Sequence, residues 1–483
     1  MQKKQMSEYI DKIQGTLTDV SDKIWDFAET AFEEFRSAAL IKEVLAGAGF
    51  AVQDGAGGIE TAFTASWGEG SPVIGILAEY DALSGMSQKA GSTVREPAPG
   101  DCRNGHGCGH NLLGAGSLGA ALAVKEYLSG TKRSGTVKLF GCPGEEGGSG
   151  KAFMAREGVF NGLDAAFCWH PMGIHGIFDV SLLANYQVLY KFKGLSSHAG
   201  SAPHLGRSAL DAAELMNVGV QFLREHVIQE ARIHYAITNT GGFSPNVVQP
   251  EAEVLYLIRA PKMHQVEEIY QRVNKIARGA AMMTETEVEI DFVKACANVI
   301  PNKVLGRVLY DNFLAEKLPE YTSEERAFTA TLLKTSPKKP GSEAAMLLGH
   351  LEKELAEYTQ KLADKGLCDI TLPFYDEGPE VVFPGSSDVG DVSWLVPTAQ
   401  IVTASYGLGT PEHSWQLVSQ GRTSVGHKGL ILAAKVIACA CADIIEHPDL
   451  AEKAKAELSR RLGGHVYRSA IPPEVKPRAI SKL

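Results

Sequence analysis

No stretch of this 483-residue chain is apolar for the roughly 20 residues that a membrane-spanning helix needs. The start, MQKKQMSEYIDKIQ, carries basic residues but no apolar segment behind them, so no secretory leader is expected. Paired cysteines are missing as well. The eight present are scattered with no framework spacing, which points to a reducing compartment, the cytoplasm, with most thiols serving as small core residues. Basic charge is in deficit: 47 Lys and Arg stand against 57 Asp and Glu. The net charge of −10, with no basic patch, excludes broad nucleic-acid binding. An anionic substrate would need a local cationic pocket. Repeats and low-complexity tracts are absent. What remains is an ordinary globular composition, 44% apolar and 22% charged, in a chain too long for one core. Two or more domains are expected.

The stretch Asn104–Asn111, NGHGCGHN, stands out. It crowds His106, Cys108 and His110 into a Gly-spaced turn. Thiolate and imidazole are the protein groups that bind borderline-soft divalent metals best. The residues that follow, Leu112 to Leu128, read as a mostly apolar helix. The ligand candidates therefore sit just before a helix N-terminus, where free backbone N–H groups favour thiolate. The plainer alternative is a buried free cysteine beside structural histidines.

In chain order, residues 6–49 read as two amphipathic helices and PVIGILA at 72–78 as a buried strand ending in Glu79, Tyr80 and Asp81. A strand at Thr136–Gly141 delivers CPGEEGGSG, and another at Leu163–Cys168 delivers Trp169 and His170. Open α/β sheets build their sites at such carboxyl ends. From Tyr186 the pattern changes to strand, helix, strand, strand, helix, strand, ending near Val293. That βαββαβ order is the ferredoxin-like split arrangement, and it reads as an inserted domain. Residues 309–372 are rich in Lys and Glu with helical patches and a break at Lys338–Gly341. An insertion or partner surface is the default for them. The strand-and-loop pattern returns at Val381 with SSDVGDVSW, Gln400–Ser405 and GLGTPEHSWQ, and a helix over about Ser424–Glu446 closes the core.

Glu145 and Glu146 are neighbours on a Gly-rich loop, so their side chains point different ways. One can ligate a metal while the other faces a bound water, the division that metal-assisted hydrolysis needs. Alone, such a pair is more often a solvated acidic turn. A phosphate-loop reading of GEEGGSGKA fails, because Glu145 stands where the first Gly belongs and Ala152 follows Lys151. Cys108, His110, Glu146, His170 and His413 together supply five ligands from four loops, about right for two open catalytic sites. The competing arrangement is one structural zinc on Cys102, Cys108, His110 and a distant cysteine. A second group lies in the inserted domain: His198 and His204 in SSHAGSAPH, Asn246 in GGFSPNVV, and Arg259 closing a strand. A His, an amide and a guanidinium can hold a carboxylate and a developing oxyanion. Their plain alternatives are turn residues and a surface ion pair.

In this order, HGCGHN, GCPGEEGGSG, WHP, HAGSAPH and GTPEHSW resemble the co-catalytic metallopeptidase superfamily of aminoacylases, glutamate carboxypeptidases and plant auxin-conjugate amidohydrolases. The branch that uses a Cys-Gly-His loop matches best, from about residue 20 to 446. Longer strings, among them PHLGRSALDA, AEVLYLIRAP and HSWQLVSQGRTS, carry the likeness to members acting on p-aminobenzoyl-glutamate, a folate breakdown product.

The resemblance implies an α/β fold: a phosphorylase/hydrolase-like catalytic domain of zinc-peptidase type, a mixed sheet flanked by helices, with an inserted ferredoxin-like lid and dimerisation domain. The expected bounds are 1–185 and 297–483 for the two catalytic parts, with a helical insertion at about 309–375, and 186–296 for the lid. It implies a metal-dependent amidohydrolase releasing p-aminobenzoate and glutamate, and two divalent ions per subunit, manganese or zinc. Cys108, His110, Glu146, His170 and His413 become metal ligands and Glu145 the general base. His198, Asn246 and Arg259 become groups that reach the substrate's oxyanion and carboxylate, in relatives often from the neighbouring subunit. Many superfamily members place a metal His beside the position of Asp81 and use a bridging Asp. Here the segment is EYDALSG, so Cys108 replaces the carboxylate and Asp81 is expected to brace a ligand from behind. Asp388 and Asp391 have similar standing. A broader dipeptidase or N-acyl-amino-acid hydrolase fits the same residues. So does a non-catalytic partner in a heteromeric hydrolase. The expected partner is a second copy or a related hydrolase subunit, with neither nucleic acid nor membrane bound.

Overall fold

A computed structural model describes residues 3–363, 365–378 and 380–479; the outermost ends of the expected catalytic parts, residues 1–2 and 480–483, lie outside it. The N-terminal amphipathic segment forms α1 (Lys3–Phe27), which buries Met6, Ile10, Leu17, Val20 and Ile24 at helical spacing. After α2 (Phe35–Gly47) come β1 (Ala51–Asp54), β2 (Phe63–Glu69) and β3 (Val73–Ala78). Helix α3 (His110–Thr131) is buried on nearly every side. Its Ala- and Gly-rich sequence lets the sheet and other helices approach closely. Strand β4 (Gly135–Gly141) leads to the short turn α4 (Glu145–Gly148) and helix α5 (Gly150–Arg156). Then follow β5 (Ala165–Met172), β6 (Gly176–Ile177) and β7 (Val180–Leu182).

The next unit runs β8 (Ala184–Lys193), α6 (Ala209–Leu223), β9 (Arg232–Asn239), β10 (Glu251–Ala260), α7 (Met263–Thr284) and β11 (Glu287–Cys296). Its antiparallel sheet has the order β11-β8-β10-β9, the ferredoxin-like arrangement. Helices α6 and α7 pack on one face through Ala212, Met216, Val273 and Ala277. Strand β9 is an edge strand with most side chains exposed.

The chain then returns through α8 (Lys303–Ala315), α9 (Ser323–Leu333), α10 (Ala344–Leu348) and α11 (Glu352–Ala363). It ends with β12 (Val381–Phe383), α12 (Val389–Leu395), β13 (Thr398–Ala404), α13 (Trp415–Gln420), α14 (Ser424–Glu446) and α15 (Asp449–Leu462). The large sheet has the order β1-β2-β4-β3-β5-β13-β6, and four adjacent inner strands, β4, β3, β5 and β13, are parallel. Side chains alternate between its faces: Ile74, Ile76, Phe167 and Trp169 pack under α1, α3 and α14, while Leu77, Ala166 and Cys168 face α5 and α12. Parallel strands share a direction, so all four carboxyl ends lie along one edge. The segments after β3, β4 and β13, and the end of β5, therefore meet there. Strand β5 runs on through His170 and Pro171 to Met172, beyond the Cys168 end expected from sequence, because β13 continues to pair with it up to Ala404.

Candidate metal centre

His110 is the first residue of α3. Gly109 before it has φ +79°, a conformation that favours glycine, and a side chain there would also meet Pro171 at 3.0 Å. The Asp81 carboxylate, just past β3, sits 2.9 Å from His110 Nδ1 and accepts the Glu146 N–H at 2.8 Å. One buried carboxylate thus sets both the ring and the glutamate backbone. His170 Nδ1 lies 2.9 Å from the Pro171 carbonyl. A carbonyl only accepts, so Nδ1 carries the hydrogen and Nε2 keeps its lone pair, 3.3 Å from Cys108 Sγ. His413 comes from the loop after β13, whose own N–H donates to Gly107 O at 2.9 Å. That bond ties the two ligand loops together.

Three sets of possible ligand atoms lie within 4.8 Å of one another: Cys108, His110 and His170; Cys108, Glu146 and His413; Glu79, His110 and Glu145. The structure therefore brings together all five ligand-type residues noted in the sequence, with Glu145 beside them. His413 Nε2 is 3.0 Å from Glu146 Oε1, and His110 Nε2 is 3.3 Å from Glu79 Oε2. Yet His110 Nε2 and Glu146 Oε1, both buried, make no hydrogen bond. Lone pairs that converge without hydrogen-bond geometry suit a shared cation. The sulfur, nitrogen and oxygen donors fit a divalent metal.

Protonation preferences without a metal follow from the same crowding. Burial and Glu146 oppose the Cys108 thiolate, but His170 and His110 outweigh them and the thiol falls to about 6. Burial also opposes the Glu146 carboxylate, while His413 and His110 bring it down to about 2. The nearby Cys108 and Glu146 raise His413 to about 11. Burial, then Glu79 and Glu146, hold the Glu145 carboxyl well above the usual range. A thiolate, an ionised carboxylate and crowded histidines are groups that suit a bound metal ion.

The other expected residues fall elsewhere. His106 is buried with Nε2 on the Ile24 carbonyl, and Cys102 is exposed, so neither joins the cluster. His198 and Asn246 are exposed neighbours on the smaller domain, linked through the Ala199 N–H to the Asn246 carbonyl. Arg259, on β10, is half-buried, and its Nε has no partner. Burial lowers its pKa, and Cys296 and Glu145 oppose that shift. Asp391 accepts from the Ala297 N–H and the Tyr467 hydroxyl, a structural place away from the ligands. Sequence reasoning passed over Glu79 and Lys151. The available signals were an acid directly after a buried strand and a lone lysine entering the apolar run AFM.

Residues 75–390 match the pattern of Peptidase family M20/M25/M40. The chain is 48% identical over 465 residues, 95% of each chain, to one of the subunits of p-aminobenzoyl-glutamate hydrolase of Escherichia coli (strain K12). It is 28% identical over 477 residues to Xaa-Arg dipeptidase of Mus musculus, covering 95% of this chain and 93% of that one. Among solved structures, a dinuclear metal-binding peptidase from the M20 family of Bacillus subtilis is similar with a TM-score of 0.54 at 18% identity, over 90% of this chain and 99% of that one. This last likeness shows the shared fold.

Proposed function

The chain belongs to peptidase family M20/M25/M40 and is a metallo-amidohydrolase, and we propose that it splits the amide of p-aminobenzoyl-glutamate to p-aminobenzoate and glutamate. The observation that carries the reaction is the meeting of Cys108, His110, Glu146, His170 and His413 around unpartnered lone pairs, with Glu145 alongside. The relative that is 48% identical along nearly the whole chain supports the substrate.

Divalent metal ions belong to this centre. In our reading there are two per subunit, manganese or zinc. Cys108, His110 and His170 would hold one, and Cys108, Glu146 and His413 the other. When bound, such ions supply Lewis acidity, which acidifies water and polarises the scissile carbonyl. The protein's own part is positioning and proton movement. Asp81 fixes the His110 ring and the Glu146 backbone. Glu145 takes the proton of the attacking water and passes it to the leaving amine. Arg259 pairs with the glutamate-side carboxylate; its unpartnered Nε supports this.

His198 and Asn246 act at the oxyanion and carboxylate of a neighbouring subunit's site. Their exposure, and the open edge of β9 with exposed Tyr235 and Ile237, support a dimer with a second copy or a related subunit. The 48% identical relative is itself named as one subunit of its hydrolase, which supports a heteromeric partner. Eight free cysteines support the cytoplasm as the compartment. Among the described residues no helix is long and apolar enough to cross a membrane.

The test is release of p-aminobenzoate by the purified chain, stripped of metal and then supplied with manganese or zinc. Metal-dependent release is expected. A dipeptidase is the second reading, favoured by the 28% identical relative named for Xaa-Arg dipeptides. Faster turnover of an Xaa-Arg dipeptide in the same assay would replace the first reading.

A further inference from the structure

Lys151 is a fully buried lysine at the start of α5, and the sequence gives it no role. Its ammonium lies 2.7 Å from Asp388 Oδ1 and 2.6 Å from Glu79 Oε1. Its backbone N–H donates to the other Asp388 oxygen at 2.8 Å. Asp388 therefore grips Lys151 at two points, and Lys151 in turn grips Glu79. All three side chains are buried, with Glu79 4% and Asp388 1% exposed.

One ammonium between two carboxylates leaves a net charge of −1 in a place shut off from water. An uncompensated buried charge costs several kcal/mol. The surplus faces His110. With Oε1 held by Lys151, Glu79 turns Oε2 toward the metal centre, 3.3 Å from the unpartnered His110 Nε2. Glu79, His110 and Glu145 form one of the three sets of converging ligand atoms. We propose that Glu79 is a sixth protein ligand of the metal centre and that Lys151, braced by Asp388, is the positioning residue that aims it there.

This arrangement divides the work within one carboxylate. Oε1 is spent on the lysine, so Glu79 is offered through Oε2 alone. Lys151 fixes the carboxylate without neutralising the whole triad, and the remaining charge is left for the cation. The inference rests on the metal-centre reading above.

The experiment is metal binding by the full-length chain. Metal-stripped protein is titrated with zinc and with manganese against a chromophoric chelator, bound metal is counted by elemental analysis, and thermal unfolding is recorded with and without metal. The variants are Glu79→Gln and the double variant Lys151→Met/Asp388→Asn. Glu79→Gln leaves Lys151 paired with Asp388, a neutral set, so the fold is retained. The double variant removes one charge of each sign and leaves Glu79 without its holder. Both are expected to bind one ion about tenfold to a hundredfold more weakly than the unaltered chain. Without metal, Glu79→Gln is expected to melt no lower than the unaltered chain, while its gain on adding metal is smaller. A Glu79→Gln protein with unchanged metal affinity and unchanged gain would show that Glu79 is only a counter-ion of Lys151, and would overturn the inference while the metal centre stands. Absence of stoichiometric metal in the unaltered chain would overturn the metal-centre reading itself.

Discussion

Glu34 and Gly144 lie 110 residues apart and are joined by one hydrogen bond, the Gly144 N–H donating to Glu34 Oε1 at 2.8 Å. The same carboxylate accepts the Phe32 N–H at 2.9 Å and the Thr61 hydroxyl at 2.9 Å. Gly144 immediately precedes Glu145, so a fully buried side chain from the turn before α2 anchors the loop that carries Glu145 and Glu146. Removing it in Glu34→Ala leaves three donors without their partner. The expected cost is about 2–4 kcal/mol in denaturant unfolding, and turnover should fall more than tenfold as Glu145 loses its seat. Full activity in a folded Glu34→Ala protein would show that the anchor is not needed.

Burial, reinforced by Asp81, pushes the Glu34 carboxyl up to about 8. The folded protein therefore holds that proton more tightly than the unfolded chain, whose carboxyl titrates at about 4.3. The contribution to stability is complete below pH about 4.3 and is lost as pH rises through about 8. Glu34→Gln mimics the protonated form and cannot ionise. Relative to that variant, the unaltered chain should lose stability between pH 5 and 8 and run parallel to it above. Denaturant unfolding at pH 5, 7 and 9 checks the sign. A constant difference across the series would place the ionised form in the fold instead.

Replacing Glu145 with Gln keeps the shape and removes the proposed base. Turnover should fall about a thousandfold while bound metal stays at the level of the unaltered chain. Retained turnover with metal in place would assign the proton transfer to another group.

Asp81→Asn tests the brace behind the ligands. The carboxylate holds His110 Nδ1 and the Glu146 N–H at once, and an amide can serve only one of them with an oxygen. Metal affinity is expected to drop about 10–100-fold, read by chelator competition. The fold should persist, because that side chain bonds the His110 ring and the four-residue turn α4 rather than a strand or a long helix.

Much of this architecture could be read from the chain, and the exceptions have physical causes. The βαββαβ run and the Ser424–Glu446 helix follow from hydrophobic periodicity, which one sequence displays openly. The cluster around Cys108 was legible because thiol and imidazole at close spacing are uncommon outside metal sites. The end of β5 was not, because Pro171 lacks a ladder donor and usually marks a strand's end. Here Pro171 stays in the strand opposite Thr403 of β13. Glu79, Lys151 and Glu34 were hidden for another reason. Acids and lysines are mostly exposed, and what draws these inside is a partner from a distant segment: Asp388 for Lys151, Gly144 for Glu34. Pairings across such separations leave no local pattern.

The stretch from α9 to α11, to which composition assigned no chemistry, braces the loop that carries His413. Leu347, Leu348, Leu362 and Leu372 form one apolar cluster with Tyr406, Leu408 and Leu417 on either side of that loop. The buried Glu343 carboxylate accepts the Gly409 N–H, the Gly366 carbonyl accepts the Leu408 N–H at 3.0 Å, and Lys338 pairs with Glu412 at 2.6 Å. His413 itself has φ +51°, a conformation that costs a non-glycine residue about 1 kcal/mol or more and persists only where its surroundings enforce it. The brace therefore maintains the strained backbone that points His413 at Glu146. Glu343→Ala removes the acceptor of the Gly409 N–H, and its expected cost is about 1–3 kcal/mol of stability. Lys338→Met removes a half-exposed ion pair and should cost well under 1 kcal/mol. If the brace sets His413, Glu343→Ala weakens metal binding about tenfold, and Lys338→Met does so less. Chelator competition on both variants reads this directly. Loss of stability in Glu343→Ala with undiminished metal affinity would make the stretch a packing element alone.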